Sequence, residues 1–297
     1  MKGRLIGFFV SLAAAVMLIP SCKGGKSVDA VVEDADTIIA DCDQYVRFET
    51  TKGDFVIKLY RGTPLHRHNM VRRVRKGEYD GQLFFGVERK YKVQAGDAGS
   101  RGAKPGVALG VKEEYDTIPG EINPWKYYHK RGAVGQASLR QVEYSTSDQF
   151  YIITGAKMNA SSLPKLEDKI QKKWFKVLKD SLTQPHAREI IEYREKGYKN
   201  KISVLNDKLN KETQAILDKR RTFHYSAEQI KEYTTTGGAP NLDGYYTVFG
   251  EVVEGMEVID SISMCHVDKN GRPVPDVKIV KATLIDWNSD SQDTPAE

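Results

Sequence analysis

Hydrophobic and polar positions alternate with a period of two over most of residues 45–155 and again over residues 237–285. In residues 45–50 and 54–60 the apolar positions are Val46, Phe48, Phe55, Ile57 and Leu59. Alternation of this kind predicts two strands with one buried face each. The short Thr51-Lys52-Gly53 segment between them predicts the turn of an antiparallel hairpin.

Six further strands are predicted at residues 84–87, 92–94, 131–137, 149–154, 247–252 and 277–285. They are short and separated by glycine-rich turns, which favours a barrel or a sandwich. One helix is predicted after the hairpin, with Thr63 as its cap, Pro64 in its first turn and Gly77 at its end. Its apolar stripe consists of Leu65, Val71 and Val74. A second helix at residues 256–262 is expected to bury Val258, Ile259 and Ile262.

The period changes to that of a helix within residues 156–236, a segment called the helical block below. Its first helix opens at Ser162 and Pro164, and its apolar face is formed by Leu166, Ile170, Trp174, Val177 and Leu178. Further helices are predicted at residues 185–196 and from residue 202 onward. Ser226 and Gln229 have the spacing of a capping box before a last helix. The block is therefore interpreted as a helical insertion between two strands.

Charge separates the helical block from the rest of the chain. It holds 18 Lys and Arg against 11 Asp and Glu, a net charge of +7, whereas the remainder after residue 22 holds 25 against 29, a net charge of −4. A lysine-rich helix face is most often solvated surface. The alternative is a contact surface for anionic lipid or nucleic acid.

The N-terminal residues 1–22 have the pattern of an export signal. Lys2 and Arg4 precede an apolar run over residues 5–19, and Cys22 follows a short segment typical of a cleavage site. The segment resembles bacterial lipoprotein signals, which implies acylation of Cys22 and anchoring at the cell envelope, on the periplasmic or outer surface. The alternative is an ordinary cleaved signal in which Cys22 is incidental. An exported location argues against a nucleic-acid partner.

The remaining boundaries follow from composition. Residues 23–44 are predicted to form a flexible tether, residues 45–155 and 237–287 the β domain, and residues 288–297 an acidic disordered tail. Cys42 and Cys265 have no spacing signature, so their pairing in a disulfide is left open. Six scattered histidines complete no metal-ligand pattern, and no metal or cofactor is expected.

Five segments carry the candidate chemistry. They are Phe48-Glu49-Thr50, Gln94-Ala95-Gly96-Asp97, His129-Lys130-Arg131-Gly132-Ala133, Asp148-Gln149-Phe150-Tyr151-Ile152, and the stretch from Leu242 to Gly250. Their order and spacing resemble the cyclophilin family, over residues 45–155 and 237–285. The resemblance implies a mainly β fold with some α: a closed eight-stranded antiparallel barrel capped by two helices, here with a charged α-helical insertion. It also implies peptidyl-prolyl cis-trans isomerase chemistry on proline-containing polypeptides.

Family site positions can be transferred residue by residue. Tyr91 and Tyr151 match pocket phenylalanines, Gln94 matches an amide donor, Ala137 a small residue on the facing strand, Leu242 an aliphatic wall, and Tyr246 an aromatic or histidine position. The family chemistry needs no cofactor, because an apolar pocket holds the proline ring and an arginine donates to the prolyl amide.

Three positions depart from the family pattern. Gly86 occupies the position of the catalytic arginine, Lys92 that of a pocket methionine, and Asn241 that of a tryptophan or histidine. Lys92 or Arg89 is a possible substitute donor. Two interpretations follow: an exported isomerase that assists the folding of envelope or secreted proteins with weakened turnover, or a non-catalytic prolyl-peptide-binding chaperone or adaptor that uses the helical block to dock a partner.

Overall fold

The computed structural model describes residues 43–112, 114–138 and 144–286 of the 297-residue chain. The predictions for Cys22, the tether, Cys42 and the acidic tail concern residues outside these ranges, apart from Asp43 and Gln44 at the end of the tether. In the part of the chain that is described, no helix is both long enough and apolar enough to span a membrane.

The described chain contains nine strands and six α-helices. The strands are β1 Gln44–Thr50, β2 Gly53–Leu59, β3 Gly86–Glu88, β4 Lys92–Ala95, β5 Thr117–Pro119, β6 Ala133–Ser138, β7 Tyr144–Ile153, β8 Val248–Glu254 and β9 Ile279–Ile285. The helices are α1 Pro64–Arg75, α2 Leu163–Thr183, α3 Ala187–Glu195, α4 Lys199–Asp218, α5 Ala227–Thr235 and α6 Met256–Ser263.

Eight strands form one antiparallel half-barrel in the order β3-β4-β7-β6-β8-β2-β1-β9, and β5 adds to β7 beside this path. The predicted closed barrel is wrong, because the sheet is open with β3 and β9 at its edges. Residues 81–84, which precede β3, meet residues 277–279. Leu83 forms an isolated bridge with Lys278, the Phe84 amide donates to the Val277 carbonyl at 2.9 Å, the Gly81 amide donates to the Ile279 carbonyl at 2.8 Å, and the Ile279 amide donates to the Gln82 carbonyl at 2.8 Å. These contacts lie before β3, which is only three residues long, so no continuous ladder forms between β3 and β9.

The main core lies on one face of this sheet. Phe48 and Phe55 stack across the β1–β2 hairpin with ring centroids 5.0 Å apart, which confirms the predicted hairpin and its buried face. Both short helices add side chains to the same cluster: Met70, Val71 and Val74 from α1, and Val258, Ile259 and Ile262 from α6.

The start of α1 differs from the prediction. Thr63 donates its hydroxyl to the Tyr60 carbonyl and does not cap the helix. The Glu121 carboxylate takes that role, accepting the backbone N–H groups of Leu65 and His66 at 3.0 Å each. Leu65 is also 47% exposed and not part of the stripe. A cap supplied from 55 residues away leaves no local pattern, so the helix sequence could not reveal it.

The helical block contains α2 to α5 and has an apolar cluster of its own. Leu163, Ile170, Phe223, Tyr225 and Tyr233 form its buried centre, and Trp125, Tyr128 and Trp174 pack against it. Ser226 and Gln229 form the predicted capping box at the start of α5. Because Trp125 and Tyr128 precede β6, the block shares its cluster with the β domain.

The chain leaves the sheet at Gly155 and returns at Gly237 and Gly238. Backbone passes so closely there that a side-chain carbon on any of these three residues would collide with backbone of the other segment or of His129. Gly237 and Gly238 also adopt positive φ angles of 111° and 154°. All three positions therefore require glycine, because a β-carbon would not fit. Gly237 and Gly238 require it also because their φ angles are positive.

Candidate functional site

A cavity of about 230 Å³ opens on the face of β4, β6 and β7 that lies opposite the main core. It is lined by residues from these strands, from the segment around residue 110 and from residues 242–246. The lining residues are Lys92, Gln94, Gly110, Tyr115, Ala137, Ser138, Thr146, Gln149, Tyr151, Leu242 and Tyr246. Six of the residues selected from the sequence are among them: Lys92, Gln94, Ala137, Tyr151, Leu242 and Tyr246.

Tyr151 forms the floor of the cavity. It pairs with Gly135 across the β6–β7 ladder, and its ring lies directly over this glycine, where a β-carbon would overlap the ring. The Tyr246 ring stands perpendicular to it, with centroids 6.1 Å apart. A residue without a side chain in β6 thus allows an aromatic ring to lie flat against the sheet, and the result is an apolar surface with a second ring at its side.

The Tyr151 hydroxyl is held by a buried hydrogen-bond network. His129 Nε2 lies 2.8 Å from the hydroxyl, and His129 Nδ1 lies 2.7 Å from Asp243 Oδ1. With Asp243 accepting from Nδ1–H, Nε2 is the atom that accepts the Tyr151 hydroxyl proton. Burial raises the pKa of Tyr151 well above its ordinary value, which keeps this hydroxyl protonated. The hydroxyl of Tyr151 therefore has its hydrogen-bond partner on the side of the ring that faces away from the cavity.

Two glutamine side chains form the polar wall. Gln94 Nε2 donates to Gln149 Oε1 at 2.9 Å, and Gln149 Nε2 donates to the Gly110 carbonyl at 3.0 Å. The Tyr115 hydroxyl donates to the same carbonyl at 2.7 Å. Each amide is therefore held in one orientation before any ligand arrives.

Lys92 places a positive charge at the cavity. Its Nζ atom donates to Gln94 Oε1 at 3.1 Å, forms an ion pair with Glu88 at 3.1 Å, and lies 5.7 Å from the centre of the Tyr151 ring. The ammonium thus sits between the polar wall and the aromatic floor. An ammonium has three N–H groups, and these two partners leave the third available to a ligand.

Gly86 supplies no side chain to the site, although it is adjacent to it. It pairs with Gln94 across the β3–β4 ladder. The other substitute donor considered from the sequence, Arg89, directs its Nε atom to Met264 Sδ at 3.2 Å and is not among the cavity-lining residues. Lys92 is therefore the cation that reaches this cavity within the described chain.

Tyr91 and Asn241 lie next to the cavity and contact each other. Asn241 Nδ2 donates to the Tyr91 hydroxyl at 2.7 Å, which links the start of β4 to residues 240–246. Burial raises the pKa of Tyr91, and the hydrogen bond from Asn241 offsets part of this rise. Both were selected from the sequence, but neither lines the cavity itself. Tyr91 packs with Leu242 and Tyr246 in the apolar cluster around Tyr151.

Sequence reasoning missed five lining residues: Gly110, Tyr115, Ser138, Thr146 and Gln149. Gln149 lies two residues before Tyr151, in a segment that the sequence analysis had already selected. In a strand, residues two apart share a face, so Gln149 could have been predicted to lie beside Tyr151. Gly110 and Tyr115 lie in an irregular stretch with no apolar period. The tertiary contact of Tyr115 with the Gly110 carbonyl is what brings this stretch to the cavity.

Comparisons with known proteins identify the family of the chain. The family model described as "Cyclophilin type peptidyl-prolyl cis-trans isomerase/CLD" matches residues 45–171 and 206–284, more than half of the chain. The unmatched interval between them lies within the helical block.

Among curated proteins, the chain is similar to peptidyl-prolyl cis-trans isomerase CYP71 of Arabidopsis thaliana, with 48% identity over 52 residues, which is 18% of this chain and 8% of that protein. It is 22% identical over 238 residues to a putative peptidyl-prolyl cis-trans isomerase of Staphylococcus saprophyticus, covering 80% of this chain and 89% of that one. The chain spans only 8 to 33% of the length of CYP71 and two other curated relatives.

Among solved structures, a Cryptosporidium parvum cyclophilin type peptidyl-prolyl cis-trans isomerase aligns with a TM-score of 0.48 and 16% identity. The alignment covers 83% of this chain and 100% of that one.

Proposed function

The chain belongs to the cyclophilin-type peptidyl-prolyl cis-trans isomerase family, and from this premise we propose that it binds X-Pro segments of polypeptides in the Tyr151 cavity and isomerises them slowly. The barrier of about 20 kcal/mol comes from amide resonance and falls when the C–N bond twists. A site for this reaction has to shelter the proline ring from water and to offer a hydrogen bond that is stronger in the twisted state than in the planar state.

The observation that carries this proposal is the position of Lys92 beside Gln94 and above the Tyr151 ring. In the proposed complex, Tyr151, Leu242 and Tyr246 contact the proline ring, and Ala137 leaves space for it. Gln94 fixes the peptide backbone. The third N–H of the Lys92 ammonium then replaces the missing arginine as donor to the prolyl amide.

Slow turnover follows from the same arrangement. Removal of one positioned donor costs roughly 10²- to 10³-fold in rate where such losses have been measured. A lysine ammonium is a point charge without the planar fork of arginine. The ion pair with Glu88 also has to loosen before the ammonium can follow the twisting amide. We therefore expect that Lys92, acting as the donor in place of the arginine, recovers only part of the lost isomerisation rate.

The second candidate function is a non-catalytic prolyl-peptide-binding module. The absence of a side chain at Gly86 favours it, together with the two partners that already hold the Lys92 ammonium. In this role the helical block docks a protein partner. Its surface supports an acidic partner, because α2 carries lysines spaced by four and three residues on the face opposite buried Ile170: Lys165, Lys169, Lys172, Lys176 and Lys179.

Location and remaining architecture belong to the same proposal. We propose that the chain is exported and lipid-anchored through Cys22 at the bacterial cell envelope, where its clients are folding exported proteins. The export-like pattern of residues 1–22 supports this placement. No nucleic acid is expected as a partner there. We further propose that α1 and α6 cover the two ends of the half-barrel as caps.

The decisive experiment is NMR exchange spectroscopy on a short Ala-Pro peptide, with the purified protein and with its Lys92→Met variant. The proposal expects exchange cross-peaks that grow with protein concentration and weaken in the variant. Peptide shift changes without any acceleration would establish the binding module instead. If neither protein shifts the peptide resonances, the Tyr151 cavity is not a prolyl site.

A further inference from the structure

The cavity wall formed by Leu242 and Tyr246 belongs to one short segment, residues 240–246, called the wall loop below. Three side chains of the helical block donate hydrogen bonds into this loop, and one backbone carbonyl of the block accepts a hydrogen bond from it. Tyr225 donates to the Pro240 carbonyl at 2.9 Å, Tyr233 to Asp243 Oδ2 at 2.5 Å, and Trp174 Nε1 to the Gly244 carbonyl at 2.9 Å. In the fourth contact, the Tyr245 hydroxyl donates to the Lys169 carbonyl at 3.2 Å.

These contacts are tightly packed. Tyr233 is fully buried, and Asp243 is 1% exposed. Gly244 has a φ of +73°, and a β-carbon there would lie 2.7 Å from Ile170 Cγ2 and 3.2 Å from Trp174. The wall loop therefore rests directly on α2, and it has no room to move toward the block.

Asp243 joins the wall to the floor of the cavity. One carboxylate oxygen accepts the Tyr233 hydroxyl, and the other accepts the His129 backbone amide at 2.8 Å and the His129 ring at 2.7 Å. The far side of that ring holds the Tyr151 hydroxyl. A hydroxyl on α5 is thus connected to the aromatic floor through one buried carboxylate and one imidazole. Linked buried hydrogen bonds of this kind stabilise a single arrangement.

We propose that the helical block is the positioning element of the prolyl cavity, with Tyr233 and Trp174 as positioning residues that set peptide affinity through the wall loop. This inference rests on the proposed function, because it assigns the cavity to X-Pro segments. An insertion without a role in the cavity would not be expected to direct several buried hydrogen-bond donors at one loop. Here three donors of the block reach Pro240, Asp243 and Gly244. The cavity-lining residues Leu242 and Tyr246 lie next to these positions in the sequence.

Tyr233→Phe in the full chain is the direct test, because it keeps the ring and removes only the hydroxyl. The matched control is Tyr193→Phe on α3, which removes a hydrogen bond of the same kind, 2.7 Å from Glu189 Oε1, inside the same block. We expect Tyr233→Phe to raise the Kd of an Ala-Pro peptide about tenfold, because the loosened wall loop occupies its binding position in a smaller fraction of the molecules. Tyr193→Phe should change the Kd less than about twofold.

A second readout separates this inference from the proposed function. The methyl resonances of Leu242 report on the wall loop without any ligand. They shift in Tyr233→Phe and in Trp174→Phe, and not in Tyr193→Phe, if the block positions the wall. Failure of the wild-type protein to bind the peptide would overturn the proposed function while the Leu242 shifts still test the positioning.

Stability is measured alongside to exclude a purely structural effect. Peptide titrations are made at a temperature at which thermal unfolding curves place every variant fully in the folded state. A lower melting temperature in Tyr233→Phe with Kd and Leu242 resonances equal to those of Tyr193→Phe would overturn the inference. Reduced affinity in the folded protein, together with shifted Leu242 methyls, supports it.

Discussion

Gly86 and Gln94 face each other across the β3–β4 ladder, and a β-carbon added to Gly86 would lie 3.2 Å from the β-carbon of Gln94. That distance is slightly short, so the Gln94 side chain has to give by a few tenths of an ångström. The φ angle of Gly86 is outside the left-handed region, so other residues are accepted there without backbone strain. A side chain at position 86 would therefore be accepted next to Gln94, which itself lines the cavity.

Gly86→Arg tests whether this position is still productive. In a Lys92→Met background we expect kcat/KM for X-Pro isomerisation to rise about 10²-fold, the lower end of the effect of one positioned donor. In the wild-type background the gain is smaller, because the guanidinium then lies near the Lys92 ammonium and the two like charges repel. Exchange NMR on both variants checks this. Equal rates for Lys92→Met with and without arginine would contradict it.

Lys92→Met separates binding from turnover. Removal of the charge makes the lining more apolar and frees the Gln94 amide oxygen, so we expect the Kd of a proline peptide to fall roughly three- to tenfold. If the ammonium is the substitute donor, kcat falls as well, by about tenfold or more. Lys281→Met, on an exposed position of edge strand β9, is the matched control and should change neither value. An unchanged or higher kcat would remove Lys92 from the mechanism.

Gly135→Ala probes the support of the aromatic floor. The added methyl group overlaps the Tyr151 ring, so the ring has to leave the sheet surface or the strands have to separate. Overpacking of this type costs about 1–3 kcal/mol of unfolding free energy. We expect peptide binding to be lost with it. Gly86→Ala, which meets only a side chain, should cost about 0.5 kcal/mol or less in urea unfolding. Similar costs for the two variants would show that Tyr151 relaxes freely.

Acid should weaken the attachment of α1 through Glu121. Burial raises the pKa of this carboxyl, but hydrogen bonds from the His66 ring and from the backbone of His66 and Leu65 prevail and lower it below its ordinary value of 4.5. A group with a depressed pKa in the folded state contributes stability above its unfolded pKa. That contribution disappears as pH falls through the folded value.

Glu121→Gln should therefore lower the unfolding free energy at pH 7 by about 1–3 kcal/mol. The deficit relative to wild type should shrink when unfolding is measured near pH 3. Asp168→Asn on α2, whose ion pair with Lys172 is exposed to solvent, should change stability by less than about 0.5 kcal/mol. A deficit for Glu121→Gln that does not depend on pH would contradict the assignment.

Local patterns in the sequence predicted the parts of the fold that depend on neighbouring residues. Period-two alternation located the β1–β2 hairpin, the apolar triplet Val258, Ile259 and Ile262 identified the buried face of α6, and Ser226 with Gln229 marked the start of α5. In each case the physical signal lies within about ten residues of chain. Six cavity-lining residues were chosen by a different route, since the resemblance to the cyclophilin family allowed its site positions to be transferred to this chain.

Features that depend on distant contacts were predicted less well. The cap of α1 comes from Glu121, the open edge of the sheet follows from the three-residue length of β3, and β5 forms only because its residues meet β7. The sequence showed that Gly86 lacks a donor. It did not show that Lys92 is held between Glu88 and Gln94, because that arrangement needs the register of β4 against its neighbours.

The glycine crossing at Gly155 and Gly238 means that residues 156–236 begin and end at one place on the sheet. Because both ends leave the sheet at the same point, the length of the block between them does not by itself set the position of any strand. The sheet topology therefore tolerates changes in the length of the block. The wall loop does not tolerate them, because the block donates its hydrogen bonds. Under the proposed positioning role of the block, substitutions within it would change which peptides the cavity prefers while every cavity residue stays the same.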